Sequence, residues 1–385
     1  MKLLKHIFFI LFFCVFLLEL LQNVFPIFHF SSLNGVIAGE PKPNLTIDNW
    51  ISGQYQEHQM RYFEQELDIR PTLIRFRNQL RYSVFNEASN SNVTIGKDNV
   101  LYGTGYIYPY LGKDFIGENK IKEVADKLLY VQQELKKRNI DLVFVIAPGK
   151  PSVFPEYLPS KYNLSEKKRT NYDAFSEQLK KQNINHIDFT NYFLKLKPKS
   201  KYPLFANSGM HWSGYGANIA ADTLMKYMEN LRGIDMIDYC SAGGIESTTP
   251  CYTDADVAQN MNLIVDIPSE KMYYPAILFK KDTKKTKPNV LIIGDSFTWT
   301  WIEFYPYFPN LFDEKSAFWY YNHHVGWGPA DKMEKLTENL NLKDETLHRD
   351  FILIVNTESN LNPPGQLFID KMYEMLHVDI ITVKN

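Results

Sequence analysis

The sequence predicts an α/β fold with a mostly parallel sheet and helices on both of its faces. Three observations carry that expectation. Short apolar runs, IDLVFVIA, VLII and FILIV, lack the alternation of a half-exposed strand, so each is expected to be buried on both sides. Amphipathic helical stretches separate them, as the crossovers of parallel strands require. The runs also close on turn residues, Pro148-Gly149, Gly294-Asp295 and Asn356, and ligands of such sheets sit beyond the carboxyl ends of the strands.

The elements follow in order. Lys2 and Lys5 precede an uninterrupted apolar run from Ile7 to Leu18, which Glu19 and Gln22 then dilute. Extended to Phe25 the run reaches membrane-spanning length, and the preceding lysines should stay cytoplasmic. Residues 1–28 are therefore expected to be a membrane anchor or signal segment, with the body exported to the periplasm or cell exterior. Cleavage is the competing reading, but Val36 and Ala38, of suitable chemistry, lie far behind the run. Residues 29–92 read as a helical linker region, broken in two by Pro71. Residues 93–385 read as the α/β domain.

That domain opens with a hairpin, Val93 to Ile95 and Val100 to Tyr102 around a GKDN turn. Next come a helix at 120–138, the strand ending in APGK, a helix from Asn171 to Gln182, a strand at HIDF and a helix from Ser213 to Asn230. The strand VLIIGD, a helix near Ala330 to Leu340 and the strand FILIVN complete it. Cys240 and Cys251 flank a loop rich in Gly, Ser, Thr and Pro and are expected to close it as a disulfide in an oxidising compartment. No motif with metal-ligand spacing occurs, so neither a metal nor a cofactor is expected.

Forty-two basic residues against 44 acidic ones leave a net charge of −2, which provides no global field for nucleic acid. The candidate chemistry is local. VLIIGDSFTWTW delivers Ser296 from a buried strand to a turn, with Gly294 permitting the sharp bend and turn N–H groups close to a forming oxyanion. Capping the following helix is the plainer role for such a serine. His211, in NSGMHWSGYG, stands just before a helix, and imidazole is the side chain suited to accept a proton near neutral pH. His323 and His324 are the alternative bases. Trp299, Trp301, Trp319, Tyr320 and Tyr321 are candidates to line an acceptor cleft, or else to fill the core.

These features together resemble a known family, the alginate O-acetyltransferase-like branch of the SGNH hydrolases. The resemblance is carried by GDS at a strand end, HW at a helix start earlier in the chain, GKPSVFPEYLP (Lys150 to Pro159), TIGKDNVLYG and DADVAQNMNL, in family order over residues 50–360. It implies Ser296 as nucleophile, His211 as general base and Glu358 at the edge of the site. Gly294, Lys150, Trp212 and Asn356 are the candidates for the oxyanion or substrate cleft. It also implies a polysaccharide acceptor and a membrane-bound O-acyltransferase as acetyl supplier. Two rivals remain open: an acetyl esterase of the glycan, and a non-catalytic glycan-binding or scaffold protein of an export assembly.

One departure matters. The family's DxHW aspartate is Gly209 here. Either a backbone carbonyl orients His211, or a carboxylate arrives from Asp254, Asp256 or Glu358, or catalysis is lost. Asp295 is a poor substitute because a residue next to the nucleophile points away from it. A vacancy at 209 predicts that Gly209→Asp raises ester cleavage.

Overall fold

The apolar runs become strands that expose neither face. The computed structural model describes residues 2–25, 31–35, 39–162, 167–282 and 284–384, without some side chains in the first and last helices. Its strands are β1 (Val93–Ile95), β2 (Leu101–Gly103), β3 (Asp141–Ala147), β4 (His186–Asp188), β5 (Tyr239–Ser247), β6 (Met272–Phe279), β7 (Val290–Gly294), β8 (Ala317–Tyr320), β9 (His324–Trp327) and β10 (Phe351–Thr357). Six of these form one sheet in the order β4-β3-β10-β7-β8-β9, while β1-β2 and β5-β6 are separate pairs.

The inner pairings of the large sheet, β3 with β4, β10 with β3, β10 with β7 and β7 with β8, are parallel. Its far edge is not. β8 and β9 pair antiparallel through a tight turn, so the sheet is mixed and the expectation of a mostly parallel sheet is corrected there. In that turn Tyr321 and Asn322 both take left-handed backbone conformations (φ 51° and 52°), the geometry that lets a short connection follow strand twist.

The chain divides into two compact units, Met1–Val93 with Ala258–Asp266, and Thr94–Val257 with Ile267–Asn385. The first holds helices α1 (Lys2–Val24), α2 (Ile47–Ile51), α3 (Gln54–Glu66) and α4 (Arg70–Phe85). Pro71 sits in the first turn of α4, where its missing N–H costs nothing. The N-terminal apolar run does form a helix. Among the described residues, however, no helix is long and apolar enough to cross a membrane, which corrects the expected spanning helix. Residues 26–30 and the cleavage candidates Val36 and Ala38 lie outside the described residues.

In the second unit lie α5 (Thr104–Tyr110), α6 (Glu118–Lys136), α7 (Lys150–Val153), α8 (Asn171–Lys181), α9 (Phe189–Leu196) and α10 (Gly214–Arg232). The short α11 (Asp256–Asn260) starts in it, and α12 (Tyr307–Leu311), α13 (Leu342–Thr346) and α14 (Phe368–Lys384) follow. Alternate strand residues feed two cores. Val143, Val145, Ile292, Leu353 and Val355 pack with Ala217, Leu224 and Phe189 on the α9 and α10 side. Leu142, Phe144, Ile293, Ile352 and Ile354 pack with Leu128, Phe175 and Met372 from α6, α8 and α14 on the other. The period of two thus explains why these runs are apolar at every position.

The helix expected near Ala330 to Leu340 does not form. Val325 N–H bonds to Lys335 O and Glu334 N–H to Val325 O, both at 2.8 Å, so this segment instead extends the β9 edge.

The candidate active site

Gly294 ends β7 where no side chain fits: a Cβ would stand 2.4 Å from Thr298 Oγ1 and 3.1 Å from Val355 O. The chain then turns into a 3-10 segment, Ser296–Trp301. Asp295 is fully buried and points away from the serine, as expected. Its Oδ2 accepts from Thr357 N (2.7 Å), Thr357 Oγ1 (2.9 Å) and Asn360 Nδ2 (2.8 Å), and its Oδ1 from Phe297 N (3.1 Å). Burial raises its pKa, and these donors oppose that rise. Asp295 therefore ties the end of β7 to the end of β10 and leaves Ser296 partly exposed.

His211 arrives from the segment before α10. Trp212 anchors that segment: it is buried among Phe189, Phe297 and Trp301, with its indole N–H 3.3 Å from Thr300 Oγ1. Ser213 then caps α10 by accepting from Gly216 N at 3.0 Å. The His211 ring rests on Phe297, centroids 4.7 Å apart. Its Nε2 lies 2.8 Å from Ser296 Oγ, although the two residues are 85 positions apart.

The other ring nitrogen, Nδ1, lies 2.5 Å from Asp256 Oδ2. Asp256 Oδ1 also accepts the Met210 N–H at 2.9 Å, which fixes the carboxylate. With a carboxylate at Nδ1, the proton belongs on that nitrogen, and Nε2 presents its lone pair to the serine hydroxyl. Of the three explanations left open for Gly209, the arrangement matches a carboxylate from elsewhere. Position 209 is itself occupied: a Cβ there would stand 2.6 Å from Thr253 O and 3.0 Å from Asp254 O. The loop that carries Asp256 fills the space, so the vacancy on which the Gly209→Asp expectation depends is absent.

The remaining candidates lie elsewhere. Asp254 is buried; its backbone O accepts from Ser208 Oγ at 2.6 Å, and burial pushes its carboxyl up to about 7. Glu358 is buried. It accepts from Gly149 N (3.1 Å), Thr190 Oγ1 (2.5 Å) and Ser152 Oγ, and burial pushes its carboxyl up to about 7. Asn356 is fully buried, with Oδ1 taking the Gly365 N–H at 2.8 Å. Trp212 is core rather than cleft.

Lys150 is almost wholly buried. Its ammonium is buried and donates to Leu101 O (2.7 Å), Ala206 O (2.6 Å), Asn207 O (3.0 Å) and Gly209 O (2.8 Å). Desolvation pulls its pKa down to about 7, with Glu270, Asp256 and Asp254 opposing. Lys150 thus clamps the loop that leads to His211.

Cys240 and Cys251 are free and exposed, which overturns the expected disulfide. Cys240 pairs with Leu278 on β6, whereas the Cys251 N–H bonds to the hydroxyl of Tyr274, four residues back.

In the aromatic group, Trp301 and Trp319 are buried in the two cores. Tyr321 instead approaches the site: its hydroxyl interacts with the Ser296 and Asn360 side chains, and burial pushes its pKa up to about 12. Tyr106 of α5 also reaches the Ser296 side chain, and burial raises its pKa well above the ordinary value. Both stay neutral hydroxyls beside the candidate nucleophile. No spacing marks Tyr106 in the sequence; its place follows from the turn after β2.

Residues 93–243 match the SGNH hydrolase-like domain of acetyltransferase AlgX, a span that includes His211 but neither Asp256 nor Ser296. Over that span the chain is similar to the alginate O-acetyltransferase-like branch of the SGNH hydrolases. It is 27% identical over 176 residues to a probable alginate O-acetylase AlgJ of Pseudomonas fluorescens, covering 46% of this chain and 43% of that protein. It is 23% identical over 174 residues to the AlgJ of Pseudomonas putida, covering 45% and 43%. It spans less than half the length of these relatives. Among solved structures, the O-acetyltransferase domain of P. putida AlgJ is similar with a TM-score of 0.48 and 17% identity, over 74% of this chain and 99% of that one. Pseudomonas aeruginosa AlgX gives 0.45 at 12% identity, over 75% and 71%. Bacillus cereus PatB1 with a sulfonyl adduct gives 0.45 at 13%, over 72% and 99%.

Proposed function

We propose that this chain is a serine-dependent O-acetyltransferase acting on an exported polysaccharide. The observation that carries the reading is the unbroken series Asp256 Oδ2 to His211 Nδ1 (2.5 Å) and His211 Nε2 to Ser296 Oγ (2.8 Å). Ser296 Oγ attacks the carbonyl carbon of an acetyl donor while Nε2 takes its proton. The bond to the leaving group breaks, and the leaving group receives that proton. A sugar hydroxyl then attacks the acetyl ester on Ser296 as its proton passes to Nε2, and Ser296 is regenerated with that proton. The Ser296 N–H contributes to holding the oxyanion, and Asp256 stabilises the imidazolium of both steps.

The names of the AlgJ relatives support acetyl transfer to a polysaccharide. A membrane-bound O-acyltransferase supplies the acetyl group in this reading. Lys2 and Lys5, in the first turns of an α1 whose Phe8, Phe9 and Phe12 are exposed, support a membrane-attached protein, and the exported acceptor of this reading puts its body on the extracytoplasmic side.

The test uses the full chain with a chromogenic acetyl ester, beside Ser296→Ala and His211→Ala. Expected are ester cleavage and a one-acetyl mass gain on the parent, both lost in each variant. An added oligosaccharide should gain acetyl groups faster than acetate is released; acetate alone would point to an esterase. A parent with neither cleavage nor adduct would leave a non-catalytic glycan-binding protein as the better reading.

A further inference from the structure

We propose that α4 is a lipid-facing helix that lies along an anionic membrane surface. Three observations within the first unit carry this. First, α4 turns an apolar stripe outward: Leu73, Phe76, Leu80 and Val84, spaced by three or four residues, are 49%, 62%, 48% and 63% exposed, while Asn78 is the buried residue of the helix. Its Nδ2 donates to Met261 O at 2.9 Å, so α4 is fixed on its inner side and bare on its outer one.

Second, residues 70–85 contain four arginines and no acidic residue. Arg70 and Arg77 share the spacing of the stripe, and long arginine stems can lie beside apolar side chains while their heads stay in the headgroup layer. Arg81 is paired with Glu87 at 2.8 Å, and among the described residues Arg77 meets the neutral amide of Asn78, at 3.4 Å, and no carboxylate. A second copy of the same helix is a poor occupant, because α4 itself brings no carboxylate to meet the other copy's arginines. Anionic headgroups complement both the charge and the stripe.

Third, the chain leaving the apolar N-terminal helix is held against α4. The Arg75 guanidinium donates to Ser31 O (2.8 Å) and Ser32 O (2.6 Å), and Gln22 Nε2 of α1 donates to Asp68 Oδ2 (3.3 Å) just before α4 begins. The most apolar segment of the unit is therefore tied to the basic amphipathic one. The inference is independent of the acetyl chemistry and goes beyond attachment through α1.

The test reads α4 separately from α1. In the full chain, with Cys14, Cys240 and Cys251 changed to Ser, Phe76→Cys carries an environment-sensitive fluorophore. The labelled protein is reconstituted into vesicles of phosphatidylcholine, with or without phosphatidylglycerol. Expected are a blue shift and quenching by nitroxide-labelled lipid that depend on phosphatidylglycerol. Arg70→Gln with Arg77→Gln should raise the phosphatidylglycerol needed for the response roughly tenfold or more, each arginine being worth about 1 kcal/mol near an anionic surface. No response, an equal response in pure phosphatidylcholine, or a lipid-free shift that grows with protein concentration would overturn the proposal, the last pointing to a second copy.

Discussion

Replacing Asp256 by Asn tests the relayed carboxylate with little change in shape. Asn is isosteric, and its Oδ1 can keep the Met210 N–H bond of 2.9 Å. That places Nδ2, a donor, opposite His211 Nδ1, where Asp256 Oδ2 now stands at 2.5 Å. Two donors cannot face each other, so the imidazole moves its proton to Nε2. Nε2 then presents a hydrogen instead of a lone pair to Ser296 Oγ, 2.8 Å away. The base is present, correctly placed, and in the wrong tautomer.

In serine proteases the equivalent change lowers the rate on the order of ten-thousand-fold, which corresponds to about 5 kcal/mol of barrier. A similar loss in kcat is expected here, with KM and folding little altered because the donor cleft is untouched. Acetyl-ester turnover across pH, with circular dichroism and thermal melting as controls, measures it. Activity within tenfold of the parent in a folded Asp256→Asn variant would refute the reasoning. Gly209→Asp in that background should not restore the rate, since Thr253 O and Asp254 O already occupy the approach to that side chain.

Three further outcomes are expected. Glu358 and Asp254 are both pushed up to about 7 by burial, from ordinary values of 4.5 and 3.8. Their folded forms hold protons that the unfolded chain releases, so the stability they contribute is full below the unfolded pKa and is lost as pH rises to about 7. Urea unfolding should thus show stability falling over that window, and Glu358→Gln should flatten part of the slope, by up to about 3 kcal/mol; an unchanged slope would count against the burial argument. Lys150→Met should cost about 3 kcal/mol or more in urea unfolding, because four carbonyl oxygens lose their donor, and a midpoint equal to that of the parent would show that the clamp is dispensable. Thiol titration of the unfolded chain without reductant should find all three cysteines, and reductant should leave Tm unmoved, since Cys240 and Cys251 are free; a Tm several degrees lower after reduction would restore the disulfide.

The α/β core was legible because its determinants are local. A strand buried on both faces is apolar through its middle, and residues 142–147 of β3, 290–294 of β7 and 351–355 of β10 say so in isolation. The β8-β9 edge was not. AFWY and HVGW are short, and what makes them strands is pairing with β7 and across a turn of left-handed residues. The segment after Pro329 has helix-forming composition, but its backbone donors are claimed by Val325 and His323. Tertiary hydrogen bonding overrides propensity at an exposed sheet edge because no apolar helical stripe is there to be buried.

The site divides along the same line. Ser296 and His211 are each set by their own neighbours: a strand end with a compressed Gly294, and a buried Trp212 beside a capped helix. Asp256 had no such signature, and was one of three acids within reach of the argument. What distinguishes it is volume. Asp254 faces inward and is desolvated, Glu358 is enclosed by Gly149, Ser152 and Thr190, and Asp256 alone stands where the segment Tyr252 to Asp256 turns past the position 209 side chain would occupy. Glycine at 209 and the carboxylate at 256 are therefore one feature and not two. Removing the side chain two residues before the histidine is what admits the loop, and the admitted loop brings back the charge that was removed. On this view a change that thickens position 209 injures the site by displacing Asp256, so Gly209→Ala, which adds no charge, should lose activity in the same direction as Gly209→Asp.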